Sequence, residues 1–149
     1  MIKTRTLLIA SGAALLSAAF PALAAQTMGE GGRKLSTTFS GAAEVPGPGD
    51  PDGTGSFTAR VNPGQGQVCY TLTAAMIAAP TAAHIHRGMI GAAGPVVAAL
   101  AAPINGSSEA CVSVTRELAM ALIQNPQNYY VNVHNAVYPA GAVRGQLAK

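Results

Sequence analysis

Apolar and polar residues alternate in short segments along the chain from residue 34 onward, and Gly, Pro, Asn and Asp separate these segments. A period of two is typical of a β-strand that buries one face. Eight segments have this character: KLSTTFSG, GSFTARV, QVCYTLT, AAHIH, GPVVAAL, EACVSVT, NYYVNVH and GAVRGQL. Many short strands joined by turns predict an all-β fold, an antiparallel, Greek-key-like β-sandwich of about eight strands, with a barrel as the related alternative.

One segment has the signals of a helix instead. RELAMALIQ, at residues 116–124, follows Thr115, which is a favourable N-cap residue, and stops before Pro126. The chain is rich in alanine, which favours helix by propensity, but prolines and glycines interrupt every other alanine-rich window. We therefore expect one short helix near residues 116–124.

The first 24 residues follow a different pattern. They begin with two cations, continue through an apolar run that ends at Phe20, and close on a small-residue triplet that ends at Ala24. This is the organisation of a secretory signal peptide, so we expect cleavage near Ala24 and a periplasmic or secreted location. The apolar run is shorter than the ~20 residues that a spanning helix needs, so we expect no membrane span.

Cleavage would leave a predicted flexible lead at residues 25–33 and one domain at residues 34–149. Lys3 and Arg5 belong to the signal, so seven of the nine Lys and Arg residues remain, against six Asp and Glu residues. Scattered cations in a nearly neutral chain cannot neutralise a run of phosphates, which argues against a nucleic-acid partner. The sequence gives no indication of the oligomeric state.

The chain has two cysteines, Cys69 and Cys111. In an exported protein they favour a disulfide over a metal-binding pair, because the compartment is oxidising and their spacing is not CxxC. We therefore predict a Cys69–Cys111 bridge. Closing a loop of roughly 40 residues stabilises a fold by ~3–4 kcal/mol in the chain-entropy model, so the predicted role of the bridge is structural.

Strand alternation also predicts that all three histidines of the chain point away from the core. In AAHIH the apolar positions are Ala83 and Ile85, so His84 and His86 share the opposite face. The same count in NYYVNVH and GAVRGQL places these residues on the outer face: Tyr130, Asn132, His134, Arg144 and Gln146. It also places both cysteines there. These assignments require that no bulge reverses the face of a strand.

Three histidines arranged in this way predict a metal site. Imidazoles at positions i and i+2 of a strand lie ~6.6 Å apart at Cα and project in parallel. His134 from a neighbouring strand would complete a three-nitrogen site with an open position. Copper is the predicted metal and zinc the second choice, because imidazole suits both and copper has the higher intrinsic affinity. Met89, three residues after His86, would add a thioether ligand for Cu(I).

A simpler interpretation of the same histidines involves no metal. An HxH pair is not specific, and no Asp or Glu lies nearby in the sequence to orient an imidazole. The rings would then be solvated, or would bond to carbonyls in the adjacent turns. The outer face would serve as an extracellular protein- or glycan-interaction surface, with an exposed aromatic or apolar patch around Tyr130 and Tyr138.

Three segments, AHIHRGMIGAAGPVVAAL, YYVNVHNAVYPAGAVRGQL and the earlier SGAAEVP, resemble the CHRD domain, the module named for chordin and found in short secreted bacterial proteins. The resemblance covers about residues 34–148. Asn135 and Ala142 depart from the family pattern, which has Thr and Glu at these positions. The resemblance implies an all-β sandwich without an assigned catalytic activity, and in chordin the domains accompany the binding of extracellular protein ligands.

We expect a binding protein that is not an enzyme. The HxH pair is similar to the copper-ligating pair of Cu/Zn superoxide dismutase, but three histidines cannot supply the bridging histidine and the zinc ligands of that family. The sequence also has no nucleophile elbow or other framed catalytic motif.

Glu44, in the segment AEVP, and Arg144, near the C-terminal end, are predicted to form a structural ion pair that joins the two ends of the domain. As an exposed pair it would contribute at most ~1 kcal/mol.

Overall fold

The structure is a computed structural model that describes residues 31–149. The predicted signal peptide and residues 25–30 of the predicted lead lie outside this range. The strands and the helix are β1 (Arg33–Ser40), β2 (Thr54–Asn62), β3 (Gln67–Ala75), β4 (Pro80–Arg87), β5 (Val96–Leu100), β6 (Ser107–Ser113), α1 (Arg116–Gln124), β7 (Tyr129–Asn135) and β8 (Val143–Gln146). Every segment predicted as a strand forms one, and the predicted helix has the expected bounds.

The strands form one antiparallel sheet in the order β5-β4-β7-β8-β1-β2-β3-β6. The two end strands, β5 and β6, contact each other, so the sheet nearly closes on itself. This confirms the prediction of an antiparallel all-β fold. The helix within residues 31–149 is too short to cross a membrane.

The core lies inside the curved sheet and is built from alternate residues of its strands. It includes Phe57, Tyr70 and Leu72 from β2 and β3, and Ile85 and Val131 from β4 and β7, all at most 1% exposed. Burying a side chain of this size contributes ~1.5–3 kcal/mol, which fixes the face that each strand turns inward.

Helix α1 adds Ala119 and Leu122 to this core. Its N-cap is Thr115, whose side chain accepts a hydrogen bond from the Leu118 N–H at 3.1 Å. The predicted cap is therefore confirmed.

The predicted disulfide joins two neighbouring strands. Cys69 on β3 lies directly opposite Cys111 on β6, and their sulfurs are bonded. Both cysteines alternate with core residues, so they belong to the outer face as expected. The bridge attaches the end strand β6 to its only sheet neighbour among the described strands.

The sequence predicted that the outer face of β4, β7 and β8 is open to solvent, but part of this face is covered. Residues 88–94, which we call the covering loop, follow β4 and pack across this face. Arg144 donates hydrogen bonds to carbonyls of the loop, and it is only 2% exposed. Tyr130 is 3% exposed. Strand alternation identified the correct face for both residues, but their predicted exposure was wrong because a loop covers them.

Candidate metal site

The three histidines lie on two neighbouring strands. His84 and His86 alternate along β4, and His134 lies near the end of β7, which pairs with β4. The register sets His86 opposite Tyr130, and it sets His134 opposite Ala82, diagonal to His84. A register shift in the β4–β5 pairing does not alter this arrangement, because the β4–β7 pairing stays regular through both β4 histidines.

The three imidazole rings converge. One ring nitrogen of each histidine lies within 4.8 Å of the corresponding nitrogen of the other two. Nδ1 of His84 lies 3.1 Å from Nε2 of His134, and the ring centroids of His84 and His86 are 5.5 Å apart. The convergence predicted from two distant segments is therefore confirmed.

Backbone carbonyls fix the orientation of two of these rings. Nδ1 of His86 lies 2.8 Å from the Gly94 carbonyl oxygen, and Nδ1 of His134 lies 3.0 Å from the Pro139 carbonyl oxygen. A carbonyl oxygen can only accept, so each Nδ1 carries the proton and each Nε2 keeps a lone pair. The carbonyls take the place of the carboxylate that the sequence lacked, because either group can orient a metal-binding imidazole.

Without a metal ion, hydrogen bonds hold the cluster together. Because Nε2 of His134 is unprotonated in the neutral cluster, Nδ1 of His84 donates to it. Oδ1 of Asn132 lies 3.0 Å from the same Nε2. Nε2 has one lone pair, so the Asn132 amide, rotated to present its NH2 group, is a second and weaker donor to it.

Burial favours the neutral form of two of the three rings, those of His84 and His134. It lowers the pKa of His84, and the positive charges of His134 and His86 lower it further. It also lowers the pKa of His134, where the hydrogen bond to Pro139 opposes the change and the charge of His86 adds to it. Neutral imidazole is the form that binds a metal ion, so these rings are ready to bind near pH 7.

His86 belongs to a stack of three groups. Its ring lies 4.7 Å from the ring of Tyr130 and within 9° of parallel. The guanidinium of Arg144 lies 3.4 Å from the centroid of the same tyrosine ring. Because β7 lies between β4 and β8, the two groups approach Tyr130 from opposite sides. The stack holds the imidazole plane in place.

Nε2 of His86 is buried and has no hydrogen-bond partner among residues 31–149. A buried polar atom without a partner lowers the stability of a fold by ~1–3 kcal/mol, so such atoms are rare unless they have a functional role. One nitrogen of this ring belongs to the converging group, and Nε2 is the one that keeps a lone pair, which a bound metal ion would satisfy.

The donor set fits a borderline or soft metal ion. The group offers three imidazole nitrogens and contains no carboxylate, which suits copper or zinc better than calcium or magnesium. Two nitrogens that each lie ~2.1 Å from one ion in tetrahedral geometry are ~3.4 Å apart. The 3.1 Å between Nδ1 of His84 and Nε2 of His134 is close to this value. Nδ1 of His84 donates to that nitrogen in the metal-free cluster, so binding through it would require its proton to move to Nε2 of the same ring.

Met89, the predicted thioether ligand, lies in the covering loop with a side chain that is 62% exposed. Its contact with this region is through the backbone, where its carbonyl accepts a hydrogen bond from Arg144. The role of its sulfur stays a prediction.

Glu44 and Arg144 are not the exposed pair that the sequence predicted. They are 5% and 2% exposed, and within the described part of the chain no direct hydrogen bond joins them. Burial raises the pKa of Glu44 to about 7 in spite of the opposing charge of Arg144. The two groups therefore interact through space, in surroundings that make a charge costly.

The sequence placed Tyr130 on the same face as the histidines and offered the carbonyls of the adjacent turns as partners, but it did not identify the Gly94 and Pro139 carbonyls or the loop that covers the face. Alternation gives the face of a side chain but not what covers that face. The glycines of RGMIGAAG were the available signal. A Cβ at Gly94 would overlap the Arg87 carbonyl, and a Cβ at Gly88 would press on the ring of Tyr130. Glycine at these positions lets the loop lie close to the sheet.

The sequence model of the CHRD domain family matches residues 35–147 of the chain. No curated protein and no solved structure matched the chain. The family match spans most of the chain and includes all eight strands except the first two residues of β1, together with the three histidines and both cysteines. The chain therefore belongs to the CHRD domain family.

Proposed function

We propose that this protein is an exported, non-enzymatic CHRD-domain binding protein that holds a copper ion through His84, His86 and His134. The observation that carries the proposal is the convergence of three imidazole nitrogens from two strands. Two of these rings are held by carbonyls with Nε2 unprotonated, and Nε2 of His86 is buried without a partner. Two of the three rings therefore already offer a lone pair to a metal ion, and His84 offers one from Nδ1 once its proton moves to Nε2.

Copper is favoured over zinc by intrinsic affinity for nitrogen donors. Export rests on the signal sequence, and the Cys69–Cys111 disulfide agrees with an oxidising compartment. A metal-free interaction surface centred on Tyr130 and Tyr138 has less support, because Tyr130 is buried in the stack.

The first test is a copper titration of the chain that begins after Ala24. Cu(II) at neutral pH, and Cu(I) under reducing-agent conditions that spare the disulfide, are each titrated against a competing chelator. We expect one equivalent to bind tightly, and we expect the double variant His84→Ala/His86→Ala to lose at least 100-fold in affinity, because two of three ligands are gone. Unchanged affinity in the double variant would remove this site.

Two controls sharpen the titration. His134→Ala removes the ligand from the other strand, and its loss of affinity would show that both strands contribute. Met89→Leu keeps the size and exposure of the side chain but lacks the sulfur, so a selective loss of Cu(I) affinity would assign Met89 as a ligand. Superoxide turnover by the copper-loaded protein would contradict the non-enzymatic role.

A further inference from the structure

We infer that Arg144 is a positioning residue for the histidine site. Arg144 holds the covering loop so that the Gly94 carbonyl accepts a hydrogen bond from Nδ1 of His86. Nε2 of His86 then stays unprotonated, and Arg144 sets the metal affinity in this way. The inference deepens the proposed function, and it rests on contacts that can be tested without any metal.

Arg144 is tied to the covering loop at two points. Its Nη2 donates to the carbonyl of Met89 and to the carbonyl of Ala92, each at 3.0 Å. Ala92 also donates its N–H to the Met89 carbonyl, which closes a turn at this point. One guanidinium nitrogen therefore fixes both ends of the turn from which the chain continues to Gly94.

Gly94 connects the loop to the site through both of its backbone polar groups. Its carbonyl accepts from Nδ1 of His86 at 2.8 Å, and its N–H donates to the hydroxyl of Tyr130 at 3.3 Å. The position of one peptide segment thus decides which nitrogen of His86 carries the proton. If the Gly94 carbonyl moves away, the imidazole can place its proton on Nε2, and that nitrogen no longer offers a lone pair.

Arg144 also acts through the stack. Its guanidinium covers one face of Tyr130, and His86 lies against the other face. The same residue therefore restrains the ring plane of His86 through Tyr130 and the tautomer of His86 through Gly94. Both restraints act on Nε2 of His86, although within residues 31–149 no hydrogen bond joins Arg144 to a histidine.

The cost of burying this arginine supports a specific role. Arg144 is 2% exposed, and its Nη1 is buried without a hydrogen-bond partner within residues 31–149. Glu44, the acidic group that interacts with it through space, makes no direct hydrogen bond to it. Burying a cation is unfavourable, and the loop carbonyls and the Tyr130 ring are the groups that compensate it here. A neutral side chain of the same size would fill the volume at lower cost.

The test combines two measurements on Arg144→Met, which keeps an unbranched side chain but removes the donors and the charge. In the metal-free protein, long-range nitrogen–proton correlations of the His86 ring report its tautomer. We expect Nδ1–H in the wild type and a mixed or Nε2–H state in the variant. In the copper titration we expect the variant to lose about 10–100-fold in affinity, the range typical of lost outer-sphere partners.

Arg116→Met is the matched control, because Arg116 is an exposed residue at the start of α1 and should leave both measurements unchanged. Arg144→Lys keeps the charge but cannot donate from one planar group to both carbonyls while stacking on Tyr130, so we expect a smaller change in the same direction. If Arg144→Met fails to fold, the lysine variant decides the question.

The outcomes separate this inference from the proposed function. A folded Arg144→Met or Arg144→Lys variant with wild-type tautomer and wild-type affinity overturns the inference. A wild type that binds no copper contradicts the proposed function, and the tautomer measurement still decides whether Arg144 positions His86.

Discussion

At the scale of single residues, Glu44 stands out because its carboxyl group is buried against a glycine backbone. A Cβ at Gly141 would overlap the carboxyl group, so the absence of a side chain there makes room for it. Oε1 of Glu44 has no hydrogen-bond partner among the described residues. The charge of Arg144 favours the carboxylate, but burial opposes it more strongly and the pKa rises to about 7.

This raised pKa predicts a dependence of stability on pH. The folded pKa of about 7 exceeds the ordinary value of 4.5, so the fold favours the protonated carboxyl group. The stabilising contribution of the protonated Glu44 to the unfolding free energy is complete below pH 4.5 and is lost as the pH rises through about 7. Between pH 5 and pH 8 the wild type should lose up to ~3 kcal/mol of unfolding free energy, because its carboxyl group ionises in the folded state. Glu44→Gln has no group to ionise there and should not show this loss.

Urea unfolding at the two pH values measures this difference. Glu109→Gln is the matched control, because Glu109 is exposed on β6 and its replacement should not change the pH dependence. Parallel pH profiles for the wild type and Glu44→Gln would show that the buried carboxyl group does not titrate as expected.

At the scale of elements, α1 is a nine-residue helix that is too short to be stable by itself. Ala119 and Leu122 anchor it in the core, and the Thr115 side chain satisfies the Leu118 N–H at its N-terminus. The N-cap and the buried face therefore both stabilise the helical conformation of this segment.

Thr115→Ala should lower the unfolding free energy by about 1 kcal/mol, because the first turn loses its side-chain acceptor. Thr115→Ser retains the hydroxyl and should stay close to the wild type. Chemical denaturation of the three proteins measures the effect, and equal stability of the alanine and serine variants would show that the hydrogen bond contributes little.

The elements were predictable because their signals are local. The alternation of Leu35, Thr37 and Phe39 defined the inner face of β1, and Thr115 marked the start of α1. The convergence of the histidines also followed from alternation, given that β4 and β7 are neighbours. The covering loop was not predictable in this way, since its position depends on Arg144 and Tyr130, which are distant in sequence. Exposure on the outer face was therefore predicted incorrectly where a distant segment covers it.

At the scale of the whole molecule, the disulfide secures one end of the sheet. Cys69 and Cys111 are separated by 42 residues, and their bond restricts the unfolded chain across β4, β5 and the loops around them. The double variant Cys69→Ser/Cys111→Ser should lose about 3–4 kcal/mol of unfolding free energy.

Thermal or urea unfolding with and without a reducing agent provides the comparison. Reduced wild type should match the double variant, and the reducing agent should leave the double variant unchanged. A wild type whose stability does not respond to full reduction would contradict the predicted role of the bridge.

The position of β8 has a consequence for the order in which the molecule assembles. Strand β8 lies between β7 and β1, so among the described strands it supplies the sheet hydrogen bonds that join the group β5-β4-β7 to the group β1-β2-β3-β6. A chain in which β8 has not yet formed therefore has two groups of strands that no backbone hydrogen bonds of β8 join. The three imidazoles all belong to the first group, whereas Arg144 arrives with β8. The ligands can gather early, but their final setting is reached only after β8 has joined the sheet.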